Sequence, residues 1–218
     1  MALAIFDLDH TLIDGDSDHA WGQFLVDNQL VNATEYKQKN DWFFEQYQKG
    51  ELDVHAYLAF ALEPLTQFPL EELYQHRERF LQECIAPIVT QKSRDLIAKH
   101  KAQGDTLLII TATNGFITYP IAELLGIEHI IAPHPEFIDG AYTGRIVGVP
   151  SFHQGKVVRL NEWLKEHNHS LSGSWFYSDS HNDLPLLEVV DNPVAVNPCP
   201  KLEAVAQERQ WPIISLRD

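Results

Sequence analysis

Cysteine is nearly absent from this chain: Cys84 and Cys199 are the only two, far apart in the sequence. That excludes a disulfide framework and a cysteine-based zinc site, and it fits a reducing compartment, so a cytoplasmic location is expected. No apolar run approaches the ~20 residues of a membrane-spanning helix. No basic stretch followed by an apolar one and a small-residue cleavage site opens the chain, so no export signal is expected. Basic residues are scarce as well. Sixteen Lys and Arg stand against 31 Asp and Glu, for a formal net charge of -15. So acidic a chain is a poor partner for nucleic acid or anionic membranes. It attracts cations instead, whether divalent metal ions or amine-bearing small molecules, although solubility accounts for most of the total charge. The 11 histidines are dispersed and show no HExxH spacing, so zinc hydrolysis is not implied.

What the chain does have is a dense knot of carboxylates at its start, in "LAIFDLDHTLIDGDSDH" (3–19). Four apolar residues run straight into Asp7 and Asp9, then Asp14, Asp16 and Asp18. Like charges this close repel, and buried carboxylates are costly unless paired or bound to metal. Either this is a solvated acidic turn, or something cationic belongs there.

At 218 residues the chain has room for one core domain and a smaller one. Residues 3–6 read as a short buried strand. Residues 17–84 then show helical spacing of aromatics, with Trp21, Phe24 and Leu25 at i, i+3, i+4. About four helices are expected in that block. From residue 88 the pattern alternates. Helices are expected at 88–103, 118–125 and 156–168, with another starting near 183. Strands are expected at 106–111, 129–131, 174–178 and 194–196, and a hairpin at 141–149. Strand–helix alternation implies an α/β fold: a Rossmann-like, mostly parallel sheet flanked by helices. The helical block interrupts it as an inserted cap. The expected division is a core at 1–13 and 86–218 and a cap at 14–85, with hinges near 13–16 and 84–87.

In open α/β sheets, ligands sit at the carboxyl ends of the strands. Three expected strand ends carry polar groups: "DLD" (7–9), Thr111, and "DSHND" (179–183). Asp7 and Asp179 on different strands are a donor pair for Mg2+, a hard cation with carboxylate and water ligands. Thr111 and Lys156 supply a hydroxyl and a fixed positive charge for a phosphate. Phosphoryl transfer needs mainly such positioning and neutralisation. A carboxylate beside phosphorus is also a covalent nucleophile, and a second one two residues on can exchange protons with the leaving alcohol and with water.

The ordered set "FDLDHT", Thr111, Lys156 and "YSDSHNDLPLLE" resembles the haloacid dehalogenase (HAD) superfamily of phosphatases. The insertion after the first motif resembles the phosphoserine phosphatase-like subfamily with a helical C1 cap. The resemblance spans nearly the whole chain, and it implies the following roles. Asp7 is the nucleophile and a metal ligand, and Asp9 is the general acid and base with its backbone carbonyl on the metal. Asp179 is the remaining protein ligand of Mg2+. Thr111 and Lys156 hold the phosphoryl group, with Asn182 and Thr11 as supporting donors. Asp183 stands behind them, orienting Asp179 or Lys156, or merely capping a helix. A non-enzymatic binding module is disfavoured because every motif position is filled. A phosphotransferase on the same scaffold remains a second reading beside hydrolysis.

The cap selects the substrate in such enzymes. Asp16, with Asp18 beside it, lies where phosphoserine phosphatases carry a carboxylate for the substrate ammonium. Those enzymes also use a cap arginine for the serine carboxylate, yet "GELDVHAYLAFALEPL" (50–65) contains no Arg or Lys. The resemblance therefore leans toward the bacterial histidinol-phosphate phosphatases, whose ester carries an amine and a ring but no carboxylate. Phosphoserine stays as the alternative. The expected partner is a small phosphate ester. The oligomeric state is not legible, and the aromatic residues Trp21, Trp42, Phe43, Phe44 and Tyr47 serve equally as cap core, lid or contact.

Overall fold

The computed structural model describes residues 2–217, so residues 1 and 218 of the expected core lie outside the described residues. β1 (Leu3–Phe6) leads through a tight loop into α1 (Ser17–Asp27), α2 (Ala33–Lys49), α3 (Val54–Leu62) and α4 (Leu70–Phe80). The alternating part follows as α5 (Gln91–Gln103), β2 (Thr106–Ile110), α6 (Gly115–Leu125) and β3 (His129–Ile131). A ribbon of β4 (His134–Ile138) and β5 (Ala141–Val147) precedes α7 (Gln154–Glu166), β6 (Trp175–Ser178) and α8 (Leu184–Leu187). The chain closes with β7 (Asn192–Val196), α9 (Pro200–Glu208) and β8 (Ile213–Ile214).

The main sheet has six strands in the order β3-β2-β1-β6-β7-β8. Every pairing in it is parallel. Ile5 of β1 stands opposite Leu108 of β2 on one side and Phe176 of β6 on the other. A parallel sheet is buried on both faces, which is why "LAIF" and "TLLII" are unbroken apolar runs. Side-chain alternation divides each run between two cores. Leu3 and Ile5 join Leu108, Ile110, Leu160 and Phe176 on one face. Ala4 and Phe6 join Leu107, Ile109 and Ile117 on the other.

That second core continues into the helical insertion. Trp21, Phe24 and Phe80 are packed into it, and the Trp21 ring lies 5.2 Å from Phe80 and 5.8 Å from Phe116. Helices α1 and α4 are thereby fastened to the body that carries the sheet. Helix α2 packs mainly on α1, and α3 packs on β5 and on the short helical turn that follows α3. The Phe43 ring of α2 lies 5.2 Å from both Tyr57 and Phe60 of α3. The insertion starts cleanly because Asp16 caps α1, accepting from the backbone N–H groups of Asp18 and His19 at 3.0 and 2.8 Å. Asn32 and Asp53 cap α2 and α3 in the same way.

Three departures from the sequence expectation have physical causes. The hairpin is not confined to 141–149: β5 is a single strand, and its partner β4 precedes it. The turn is Asp139–Gly140, both at positive φ (51° and 84°), as an Asp-Gly hairpin turn requires. Helix α6 begins before residue 118 and tolerates Pro120. The carbonyl of Phe116, which the missing Pro120 N–H leaves free, accepts instead from Arg77 Nη1 at 3.1 Å. Finally, α9 and β8 extend the fold past residue 196, where the periodicity is too short to read.

Candidate active site

Asp7, Thr111 and Asp179 each directly follow the carboxyl end of one of three adjacent strands, β1, β2 and β6. The backbone ladder carries one residue past β1, with Asp7 N–H donating to the Tyr177 carbonyl at 2.9 Å. The Asp7 side chain thus starts from a rigid point, at the position where open α/β sheets bind ligands.

Lys156 reaches this point from α7. It is 2% exposed, with Nζ 2.9 Å from Asp7 Oδ1 and 2.8 Å from Asp183 Oδ2. Ser178 Oγ donates to the same Asp183 oxygen at 2.7 Å. Asp183 therefore positions Lys156, and its side chain makes no helix-cap bond. Glycine precedes Lys156 because a Cβ at Gly155 would run into the carbonyl oxygen of Pro150. Burial works against the Lys156 ammonium, but the carboxylates of Asp183 and Asp7 outweigh it and hold its pKa above the ordinary lysine range.

One cation does not balance this site. Burial pushes the Asp7 carboxyl up to about 7 against the pull of Lys156, with Asp183 and Asp9 adding to the rise. Asp179 is raised well above the carboxylate range by burial and by the charges of Asp7 and Asp183. Its one side-chain donor is Thr11 Oγ1, at 3.2 Å from Oδ1. Thr11 Oγ1 also accepts from the Asp179 N–H at 3.1 Å, so it fixes both ends of the residue.

Asp9 is half-buried and doubly held. Its Oδ1 accepts from the Ser17 N–H at 2.6 Å and its Oδ2 from Thr113 Oγ1 at 2.9 Å. Sequence reasoning missed both donors. Ser17 is legible only as the start of α1, and Thr113 only as a second threonine in "TAT" after β2. Thr111 Oγ1 accepts from the Thr113 N–H at 3.1 Å, which leaves its own O–H to donate. Asn182 is not brought to the cleft: its Nδ2 donates to the Tyr47 carbonyl at 3.1 Å and ties the core to α2. One of its two amide hydrogens is committed to backbone, and Asn182 is not among the residues that line the main cleft. His10 takes positive φ (54°) and lines a cleft shared with Phe44, Asp179 and His181.

The main cleft spans about 580 Å³ of non-atom space, part of it open to solvent. Asp7, Asp9, Thr111 and Thr113 form its floor, and Phe43, Phe44, Tyr47, Leu52, Val54 and Tyr57 of the insertion form its roof. Asp16 and Asp18 line it too, and no Lys or Arg does. The aromatic residues of the cap thus divide. Trp21 is core at 2% exposure, Phe43 is shared between bundle and cleft, Phe44 and Tyr47 face the cleft, and Trp42 is 53% exposed.

Residues 4–188 match the family model of haloacid dehalogenase-like hydrolases. The chain belongs to that family. The hydrolase is 46% identical over 219 residues to a histidinol-phosphatase of Neisseria meningitidis, covering 99% of both chains. It is 30% identical to a phosphoserine phosphatase of Mycobacterium tuberculosis, covering 99% of this chain and 71% of the other. Among solved structures, a Bordetella pertussis protein of unknown function superposes with a TM-score of 0.93 at 44% identity, covering 99% of each chain. A phosphoserine phosphatase at 18% identity and TM-score 0.72, covering 99% of this chain and 93% of that one, shares the fold.

HAD phosphatases generally use Mg2+, and the residues present fit it. Among the described residues, no group of three or more His, Cys, Asp and Glu is placed to hold a metal ion by side chains alone. Mg2+ asks less of the protein: one or two carboxylates, with waters and substrate phosphate completing the shell. Asp7 and Asp179 offer that pair: burial raises both carboxyls, Lys156 offsets the rise only in part, and a further cation there would lower them. Among the described residues, no helix of the hydrolase is long and apolar enough to cross a membrane.

Proposed function

We propose that this hydrolase is a Mg2+-dependent phosphomonoesterase that turns over a small amine-bearing ester, histidinol phosphate before others, through an aspartyl-phosphate on Asp7. The observation that carries the substrate reading is the sign of the cleft. Four carboxylates, Asp7, Asp9, Asp16 and Asp18, line it without a lysine or arginine. A substrate with its own carboxylate, such as phosphoserine, finds no counter-charge there and would be desolvated at a cost. A leaving group with an ammonium and a flat ring meets carboxylates and aromatic walls. The 46% identity to the Neisseria histidinol-phosphatase supports the same choice.

Asp7, Asp179 and the backbone carbonyl of Asp9 would hold Mg2+, which supplies charge neutralisation for the phosphoryl oxygens. An Asp7 oxygen attacks phosphorus as the ester P–O bond breaks, and the leaving oxygen takes a proton from Asp9. Lys156 keeps Asp7 Oδ1 in place, at 2.9 Å, so that the carboxylate presents its other oxygen. The Thr111 hydroxyl and the Lys156 ammonium carry the transferred group. Asp9, now ionised, takes a proton from water as that water attacks phosphorus and frees Asp7. Ser17 N–H and Thr113 Oγ1 hold Asp9 where both transfers are in reach. We infer a cytoplasmic location, a reading that the free thiols Cys84 and Cys199 support.

Phosphate release decides the matter, measured on histidinol phosphate, phosphoserine, phosphoethanolamine and p-nitrophenyl phosphate with Mg2+ and with EDTA. Expected are the highest kcat/KM on histidinol phosphate, loss of turnover in EDTA, and a loss of at least ~10³-fold on every ester in Asp7→Asn. Phosphoserine outpacing histidinol phosphate would sink the substrate reading. Full turnover in Asp7→Asn would sink the mechanism.

A further inference from the structure

Asp18 has no part in the chemistry just described. It lies in the first turn of α1, is 6% exposed and lines the cleft. Its Oδ2 is buried without a hydrogen-bond partner. Asp16, two residues earlier, differs: it serves the fold as the α1 cap, through Oδ1 and two backbone N–H groups. Capping accounts for Asp16; Asp18 has the Tyr57 hydroxyl beside it, and nothing in the fold uses its Oδ2. A desolvated carboxylate oxygen without a donor is costly, and one aimed into a cleft marks where a ligand donor belongs.

The surroundings define that donor. Tyr57 stands beside Asp18, and Phe43 packs edge-on against Tyr57 at 5.2 Å, with both rings on the cleft wall. Flat aromatic walls next to one lone acceptor suit a planar group that carries an N–H. We propose that Asp18 Oδ2 accepts a hydrogen bond from a ring N–H of the leaving group, bounded by Tyr57 and Phe43, while Asp16 faces its ammonium. The two carboxylates then read two different nitrogens of one substrate, and Asp18 is a specificity residue. The inference rests on the amine-bearing ester reading of the same cleft and deepens it. The electrostatics agree. Burial, aided by Asp16 and Asp9 and opposed by the Tyr57 hydroxyl, pushes the Asp18 carboxyl up to about 8. A ring N–H placed on Oδ2 offsets that burial.

Calorimetric titration of the Mg2+-loaded enzyme with L-histidinol and with alaninol tests this, since alaninol keeps the amine and alcohol but lacks the ring. Wild type should bind histidinol more tightly. Asp18→Leu should weaken histidinol by roughly 10–100-fold and alaninol by less than about threefold, the size expected for one specific polar contact. Asp18→Asn, which keeps an acceptor oxygen, should recover much of the histidinol affinity. If the leucine variant does not fold, the asparagine variant carries the test, with its histidinol loss still exceeding its alaninol loss. Equal losses for the two ligands, no loss, or wild type unable to tell them apart overturn the proposal. Should wild type hydrolyse phosphoserine better than histidinol phosphate yet bind histidinol through Asp18, the substrate reading falls and the ring site stands. Should histidinol phosphate be the best substrate with Asp18→Leu as active on it as wild type, the reverse holds.

Discussion

Asp18→Asn should make the free enzyme more stable, and increasingly so as pH rises. The Asp18 carboxyl is raised from 3.8 to about 8 in the fold, chiefly by burial. In the unfolded chain it titrates near 4. Between those values the folded state holds a proton that the unfolded chain has released. Its contribution is therefore fully present below about pH 4 and is lost as pH climbs toward 8. At about 1.4 kcal/mol per pH unit, the loss between pH 5 and pH 8 is roughly 4 kcal/mol, a ceiling that local relaxation lowers. Asparagine cannot ionise, so the variant escapes this loss. The neighbours that face Asp18 remain in both proteins: Asp16, Asp9, Tyr57 and Tyr36. At roughly 2–4 °C per kcal/mol for a domain of this size, the gap in Tm between variant and wild type should widen by ~5–15 °C from pH 5 to pH 8. Thermal unfolding followed by circular dichroism at fixed Mg2+ reads it directly. A gap that stays constant or narrows with rising pH would refute the reasoning. It would mean that Asp18 is already solvated or paired in the free enzyme.

Lys156→Met should cost about 3–5 kcal/mol of stability in denaturant melts near neutral pH, because Asp7 and Asp183 are left buried without a counter-charge. The deficit should shrink below about pH 7, where Asp7 takes a proton, and a loss that is flat with pH would contradict the ion-pair account. Thr113→Val removes a donor from Asp9 Oδ2 while preserving shape. It should lower kcat by roughly 10–100-fold with KM little changed, since Asp9 keeps only the Ser17 N–H. A change in KM alone would place Thr113 in substrate binding instead.

The fold was legible wherever information is local. Apolar runs at 3–6, 106–110 and 175–178 could only be strands of a sheet buried on both faces, and glycines at 50, 104 and 126 stop helices in left-handed caps. The site backbone was legible because its residues directly follow those strands: once β1, β2 and β6 are adjacent, Asp7, Thr111 and Asp179 must converge. The Asp139–Gly140 turn is an Asp-Gly signal in the sequence, but Gly144 and Gly148 carry a competing one within and just after β5.

What the sequence alone could not assign was the division of labour among like residues. Asp16 and Asp18 look equivalent in "DGDSDH", since each is a carboxylate on the way into a helix. Local bonds from the Asp18 and His19 N–H groups make Asp16 the cap, and the tertiary packing around α1 leaves Asp18 buried with a free oxygen. Asn182 sits inside a motif that suggested phosphate, and the approach of α2 claimed its amide for the Tyr47 carbonyl. Thr113 gained its role from a contact with Asp9, 104 positions away in the chain. Order along the chain determines which chemical groups stand at each strand end. Which of them share a proton, a cation or a substrate depends on distances of about 3 Å between segments remote in sequence, and those are set only when the cores close.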